Sequence, residues 1–396
     1  MTASTIPDHV PADAVRDFDY VDMRGETDLY EHFRKLLDGP DIFYSPHHGG
    51  HWVATRFADM EAIFTDPETF SSRHQSLPPQ PMQLTLIEWD GQIHTDARRV
   101  LAPFFKPSAL GNLEQVARDL TISLIEGFKP SGHCEFVGDF AQKMPIIIMM
   151  DLLGFPTEDT DDLMGIAEGI VRAVDPAVQM AAFVNLQDYI AHKILPARRA
   201  HPGNDMISAI LAGRIDGGRP FTEPELVSFG GMLIGAGLDT VMSTLGFLAQ
   251  FLAESPTHRQ QLVDDPDLIP IALEEMIRRF QIINISRVVT RDVEFKGHRF
   301  KAGDRILTPT PAAGLDERHY PDPFTVDFAR PDKRTLMFGR GPHQCIGAAL
   351  ARIELRVFLQ EWLRRVPHFT ITPGEVPVAV PGKACSMRYL PLSWET

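Results

Sequence analysis

Cysteine is scarce in this chain: Cys134, Cys345 and Cys385 are the only three in 396 residues, at uneven spacing. That excludes a disulfide framework and points to a reducing compartment, so a cytoplasmic location is expected. Positive charge is also short. Lys and Arg number 38 against 53 Asp and Glu, a formal net charge of −15, which argues against general affinity for nucleic acid or for anionic lipid. No Gly/Ser-rich linker, charge run, low-complexity segment or internal repeat divides the sequence. At 44% hydrophobic and 23% charged it has the balance of a globular protein with a large core. One domain over residues 1–396 is expected. The opening segment MTASTIPDHVPADAVRDFDY has acidic residues and prolines but no apolar run, so neither a signal peptide nor a membrane anchor is predicted there.

What is present reads as helix with a little sheet. HWVATRF (51–57) has the pattern of a short strand, and ADMEAIFTD after it has helical apolar spacing. The proline-rich SLPPQPMQL (76–84) breaks regular structure, and helical spacing returns over 90–126 and 139–153. The longest apolar stretch, 229–252, is long enough to cross a bilayer. Asp239 near its centre and glycines at 230, 231, 235, 237 and 246 favour a buried helix instead. That helix is predicted over about 224–253, opened by Thr222 as N-cap with Glu225 completing a capping box. IPIALEEMIRRF (269–280) predicts another helix. RVVTRDVEFKGHRFKAGDRIL (287–307) alternates around turns at Lys296-Gly297 and Ala302-Gly303, a small hairpin region. A last helix runs from near 346 to about 365. The fold class is mainly α with a minor antiparallel β region.

The segment LMFGRGPHQCIGAALARIE (336–354) sets Phe338, Gly339, Gly341, His343, Cys345 and Gly347 in the order F-G-x-G-x-H-x-C-x-G. It lacks the Lys-Ser/Thr of a phosphate loop and the third glycine of a dinucleotide fingerprint, and one Cys with one His cannot close a tetrahedral zinc site. Its glycines allow a tight turn and close backbone approach, and Cys345 sits just before a helix whose N-terminal dipole favours a thiolate. Such a loop suits a soft anionic ligand held against a metal. Upstream, Ala236-Gly237-Leu238-Asp239-Thr240 interrupts the apolar helix. Glycine costs a helix interior about 1 kcal/mol relative to alanine, so Gly235 and Gly237 suggest room left for something flat. Thr240 can bond its hydroxyl back to a preceding carbonyl and bend the helix.

These residues resemble the haem-binding and oxygen-activation signatures of the cytochrome P450 family, and the loop motif is specific. The resemblance implies the cytochrome P450 fold with haem b as cofactor. Its haem-ligand loop would be 338–347, with Cys345 as axial ligand to the iron and Phe338, Gly339 and Gly237 against the haem. A thiolate in that place pushes electron density onto iron and favours O–O cleavage. By the same resemblance Thr240 steadies dioxygen and Asp239 relays protons in a nearly dry site. His94 and Arg98, at i,i+4 spacing, with Arg287 and His343, match contacts to the anionic propionates, which need cations or donors when buried. Glu275 and Arg278, at i,i+3 spacing on one helix face, match the family's structural pair, with Arg330 as the third member.

The resemblance further implies a monomer that takes electrons from an acidic 2Fe–2S ferredoxin fed by a flavin reductase. The sequence itself shows no flavin-binding segment. Between residues 330 and 356 six Lys or Arg face two acidic residues, a local excess suited to steering such a partner. Segments that face haem in relatives supply Met82, Leu84, Ile87, Trp89, Met232, Gly235, Ile282 and Ile283, with the region near Val380. They are mostly apolar, which predicts a small hydrophobic substrate. Residues 66–394 look most like the camphor-hydroxylating branch, in GLDTV, HRQQL, EEMIRRF, GLDER and LPLSW. The camphor enzyme anchors its ketone with a tyrosine, and residues 71–93 hold no Tyr here. His74, Gln83, Thr85 or Trp89 could donate instead, and a terpenoid or norisoprenoid such as an ionone is expected. Two other classes use the same Cys loop: a haem-thiolate peroxygenase or isomerase, and a haem-binding sensor without turnover. Neither gives a reason for Asp239 and Thr240.

Overall fold

The structure, a computed structural model, describes residues 6–23, 25, 28–78, 84–172 and 175–396. Its axis is the helix Glu223–Glu254, which opens as the sequence predicts: the Thr222 side chain caps the first turn, and the Thr222 N–H donates to Glu225 Oε2 at 2.7 Å. Its apolar residues face inward nearly all round, so neighbours must enclose it. Lys143–Leu153, Ala348–Arg365 and the strand Ser386–Tyr389 do so. By length and composition this helix could cross a membrane, but 72% of its apolar window is buried inside the protein. Fully burying one Leu, Ile or Phe contributes about 1.5–3 kcal/mol. Phe229, Leu238, Leu245, Leu248 and Leu252 make this helix the centre of the core.

Helices Gly91–Leu101 and Pro107–Phe128 fill the predicted 90–126 and run two residues past it, joined by a 3-10 turn over Ala102–Phe105. The second packs on Ala348–Arg365. Four α-helices between Thr160 and Ala212, interrupted by a π-helical turn at Ile190–Ile194, form a layer for which the sequence reading had no assignment.

The main sheet has five strands in the order Ile42–Ser45, His51–Ala54, Arg305–Pro309, Asn284–Val289, Phe70–Ser71. Most pairings are antiparallel, as expected. The pairing of His51–Ala54 with Arg305–Pro309 is parallel, Trp52 opposite Ile306. Parallel neighbours need a long crossover, here most of the chain, which no local pattern can announce. Lys296 and Gly297 turn the hairpin Val293–Phe295 to His298–Phe300, both at positive φ. All three cysteines are free.

Candidate active site

The segment after Leu336 folds back on itself, and the Cys345 N–H donates to the Phe338 carbonyl at 2.8 Å. The turn leaves no room for a side chain at Gly341. That residue sits at φ +68°, and a Cβ there would stand 2.7 Å from the Phe64 carbonyl oxygen. Cys345 Sγ opens onto a cavity of about 290 Å³, at the start of the helix Ala348–Arg365. Burial pushes its thiol up, against the Gly347 N–H and the guanidiniums of Arg98 and Arg352, which pull it down. The net shift is upward, because desolvation of the charged form outweighs these opposing effects, and a bound iron would favour the thiolate.

The long helix forms another wall, presenting Met232, Leu233, Ala236, Gly237, Thr240, Val241 and Thr244. Thr240 Oγ1 donates to the Ala236 carbonyl at 2.8 Å, the back-bond anticipated for it, and Thr244 Oγ1 repeats the pattern to Thr240 O at 2.7 Å. Asp239 does not line the cavity. Burial raises its pKa to about 6, against the opposing effects of Arg388 and the Ser243 hydroxyl. Gly235 also stays off the cavity wall. At Gly237, which does line it, a Cβ would meet Met149 Cγ and Sδ at 2.8 Å. Its missing side chain therefore also admits Met149 from the neighbouring helix.

The cavity also gathers two histidines and two arginines, neither arginine paired with a carboxylate among the described residues. Arg98 makes no hydrogen bond or ion pair among the described residues, and burial lowers its pKa. Arg287 is buried and, among the described residues, bonds Gln75 Oε1 at 2.6 Å and its neighbour's carbonyl at 2.9 Å, and burial brings it down to about 10. His343 Nε2 is 2.9 Å from Asp90 Oδ1, and its ring stacks on His94 at 4.0 Å between centroids. Burial, then the charges of His343 and Arg98, depress His94 to about 3. Unpaired buried cations are costly. Beside an accessible thiol and apolar walls from Leu336, Phe338, Gly339, Ile346 and Leu350, they fit a flat, dianionic iron porphyrin.

Of the predicted substrate contacts, Ile87, Met232 and Ile283 line the cavity. Leu84 and Trp89 do not: the Trp89 ring lies against Phe221 at 6.3 Å between centroids. Met82 and Gln83 fall outside the described residues. The loop 73–89 and the stretch 282–285, which the sequence reading set against the haem, also supply Gln75, Leu86 and Ile285, whereas Met149 and Glu354, which face the cavity too, were missed. Ile285 was accessible to it, since Ile283, Ile285 and Arg287 share one strand face by the two-residue period. Glu354 carried no such signal. It is completely buried, its Oε2 has no partner, and desolvation raises its pKa to about 8.

Glu275, Arg278 and Arg330 meet as expected. Arg278 bonds Glu275 at 2.6 and 3.1 Å, Arg330 Nε reaches Glu275 Oε1 at 2.9 Å, and six hydrogen bonds from the two arginines to backbone carbonyls fasten 314–325 around them. The basic excess at 330–356 looks different in space. Arg330 is spent in this triad, Arg334 pairs with Asp332, Arg340 lies 3.6 Å from Glu61, and Arg352 and Arg356 pair with Glu274 and Glu114. Acids from other segments match most of the positive charge counted along the chain.

The family model for cytochrome P450 matches residues 135–386. A probable cytochrome P450 127A1 of Sinorhizobium fredii is 32% identical over 98% of this chain and 97% of its own. The crystal structure of CYP101J2 superposes with a TM-score of 0.91 at 34% identity, covering 99% of this chain and 100% of that one. That of CYP101C1 does so with a TM-score of 0.90 at 33% identity and the same coverage.

Proposed function

This chain belongs to the cytochrome P450 family, and from that premise we propose that it hydroxylates a small hydrophobic terpenoid or norisoprenoid, ionone-like in size, with electrons from an acidic 2Fe–2S ferredoxin and its flavin reductase. The chain is a cytochrome P450 monooxygenase with haem b as cofactor. The observation that carries the finer reading is the cavity itself, with a thiol on one wall, a threonine hydroxyl on another, and apolar side chains over most of the remainder.

In this reading Cys345 would ligate the haem iron, and Arg98, Arg287, His343 and His94 would hold the propionates. When bound, a thiolate-ligated haem supplies the electron push that favours O–O cleavage. Thr240, already oriented by its bond to Ala236 O, offers a hydroxyl to dioxygen. Asp239, with its pKa raised to about 6, exchanges protons near neutral pH, which suits general acid work. Ile87, Met232, Ile283 and Ile285 exclude water and orient the substrate by shape. The Cys345 loop is exposed at Gly341, Pro342 and Gln344, which gives an electron donor a short approach. With most nearby arginines paired, surface shape carries more of that docking than net charge. Operation as a monomer in the cytoplasm belongs to the same proposal.

The test is reconstitution. The reduced protein under carbon monoxide is expected to show the strongly red-shifted Soret band of thiolate ligation. Ferric protein titrated with camphor, ionones and other terpenoids should turn high-spin with its substrate class. Product should then require reductase, ferredoxin and O2. Thr240→Ala should go on consuming NADH through the partners but yield hydrogen peroxide. Product formed from peroxide alone would favour a peroxygenase, and undiminished product per NADH in Thr240→Ala would remove that residue from the mechanism.

A further inference from the structure

Beside the main cavity the packing of four helices leaves a second, smaller one of about 20 Å³. Lys143–Leu153 contributes Met149, the long helix Glu223–Glu254 contributes Ile234 and Leu238, Thr160–Arg172 contributes Leu163 and Ala167, and Pro176–Tyr189 contributes Leu186. All ten side chains that line it among the described residues are apolar, and eight of them are buried. The other two, Ile166 and Ile170 on Thr160–Arg172, are only partly buried and mark its outer end. About 10–15 Å³ suffices for one molecule the size of water, but water needs several polar partners, which these side chains do not offer. A space of this kind suits a small apolar molecule instead.

Its inner end is Met149, which lines the main cavity as well. Met149 reaches that position because Gly237 has no side chain: a Cβ there would meet its Cγ and Sδ at 2.8 Å. Met149 is therefore the partition between the two cavities, and an unbranched, freely rotating side chain suits a partition that moves. Gly237 and Thr240, at i,i+3 on one helix face, both line the main cavity. A small molecule that passes Met149 thus arrives one helical turn from the Thr240 hydroxyl. It does so without crossing the part of the wall built by Ile87, Ile283 and Ile285, which come from other segments.

We propose that the smaller cavity binds dioxygen and passes it by way of Met149 to the Thr240 hydroxyl while the substrate occupies the main cavity. This rests on the monooxygenase reading above, in which O2 is the co-substrate and Thr240 meets it. Dioxygen is small and apolar, so leaving water for an apolar pocket is favourable. A terpenoid is too large for a space that holds one such molecule, and the two reactants do not compete for one entrance.

Xenon, a small apolar atom that occupies dry cavities, is the probe. Crystals of haem-loaded protein under xenon pressure should hold xenon among Leu163, Ala167, Leu186 and Ile234, and Ala167→Leu, which fills the space, should exclude it. Dioxygen association is then followed after flash photolysis of the carbon monoxide complex under mixed gases, with camphor or β-ionone, whichever turns more iron high-spin, in the main cavity. Ala167→Leu should slow association about threefold or more. Leu163→Ala, which enlarges the space, should raise both xenon occupancy and rate, and it decides alone if Ala167→Leu fails to fold. Neither residue lines the main cavity, so terpenoid affinity should change by less than about twofold. No xenon in the wild-type cavity, or an association rate indifferent to both variants, overturns the proposal, and so does a terpenoid affinity that falls along with the rate. The carbon monoxide band of wild type separates the two readings: its absence removes the monooxygenase assignment, whereas a normal band with no xenon bound removes only the role of this cavity.

Discussion

Glu354→Gln isolates one buried charge. Glu354 is completely buried on the helix that follows Cys345, faces the cavity, has no partner for Oε2, and has its pKa raised from the ordinary 4.5 to about 8 by desolvation alone. For an acid shifted upward, the folded state keeps a proton that the unfolded chain has released. Stability is therefore highest at or below pH 4.5, falls as pH rises toward 8, and levels off above it. Each pH unit in that window removes about 1.4 kcal/mol, so the total reaches about 5 kcal/mol. Glutamine has nearly the same shape and cannot ionise. Urea unfolding of both proteins, followed by tryptophan fluorescence at unit steps from pH 5 to 9, gives the difference in stability at each pH. That difference should grow in favour of the variant from pH 5 to 8 and then stay constant, while all other groups cancel. A flat difference, or one that grows only toward acid, would mean that Glu354 is solvated or paired and that the cavity is not the dry space inferred here.

Glu275→Ala leaves Arg278 and Arg330 buried without their counter-charge, a loss of about 3–5 kcal/mol; the haem-to-protein ratio and soluble yield should both fall, and normal haem content would refute the assignment. Gly341→Ala forces a side chain into φ +68° against the Phe64 carbonyl and should cost about 1–3 kcal/mol. An unchanged urea midpoint and carbon monoxide band would contradict this. Arg98→Leu separates two effects of one unpaired cation. The haem-free protein should become more stable, because an uncompensated charge leaves the cavity, while transfer of haem to apomyoglobin should accelerate. Haem loss at the wild-type rate would show that Arg98 does not hold a propionate.

The sequence by itself determined whatever depends on neighbours along the chain. The F-G-x-G-x-H-x-C-x-G order, the capping box at Thr222, the back-bond of Thr240 and the i,i+3 pairing of Glu275 with Arg278 are local, and each reappears in the structure because turn chemistry and helical periodicity act over a few residues. The inward face of Ile283, Ile285 and Arg287 was equally accessible through the period of a strand. Tertiary structure decided what depends on residues far apart. It set Met149 into the space at Gly237, turned Trp89 onto Phe221, and matched the arginines after residue 330 with Glu61, Glu114 and Glu274. It paired His51–Ala54 in parallel with Arg305–Pro309. It also enclosed Glu354, which in sequence looks like any solvated helix glutamate. Burial is set by the whole packed chain, and desolvation follows burial, so no local pattern could mark the buried carboxyl of Glu354.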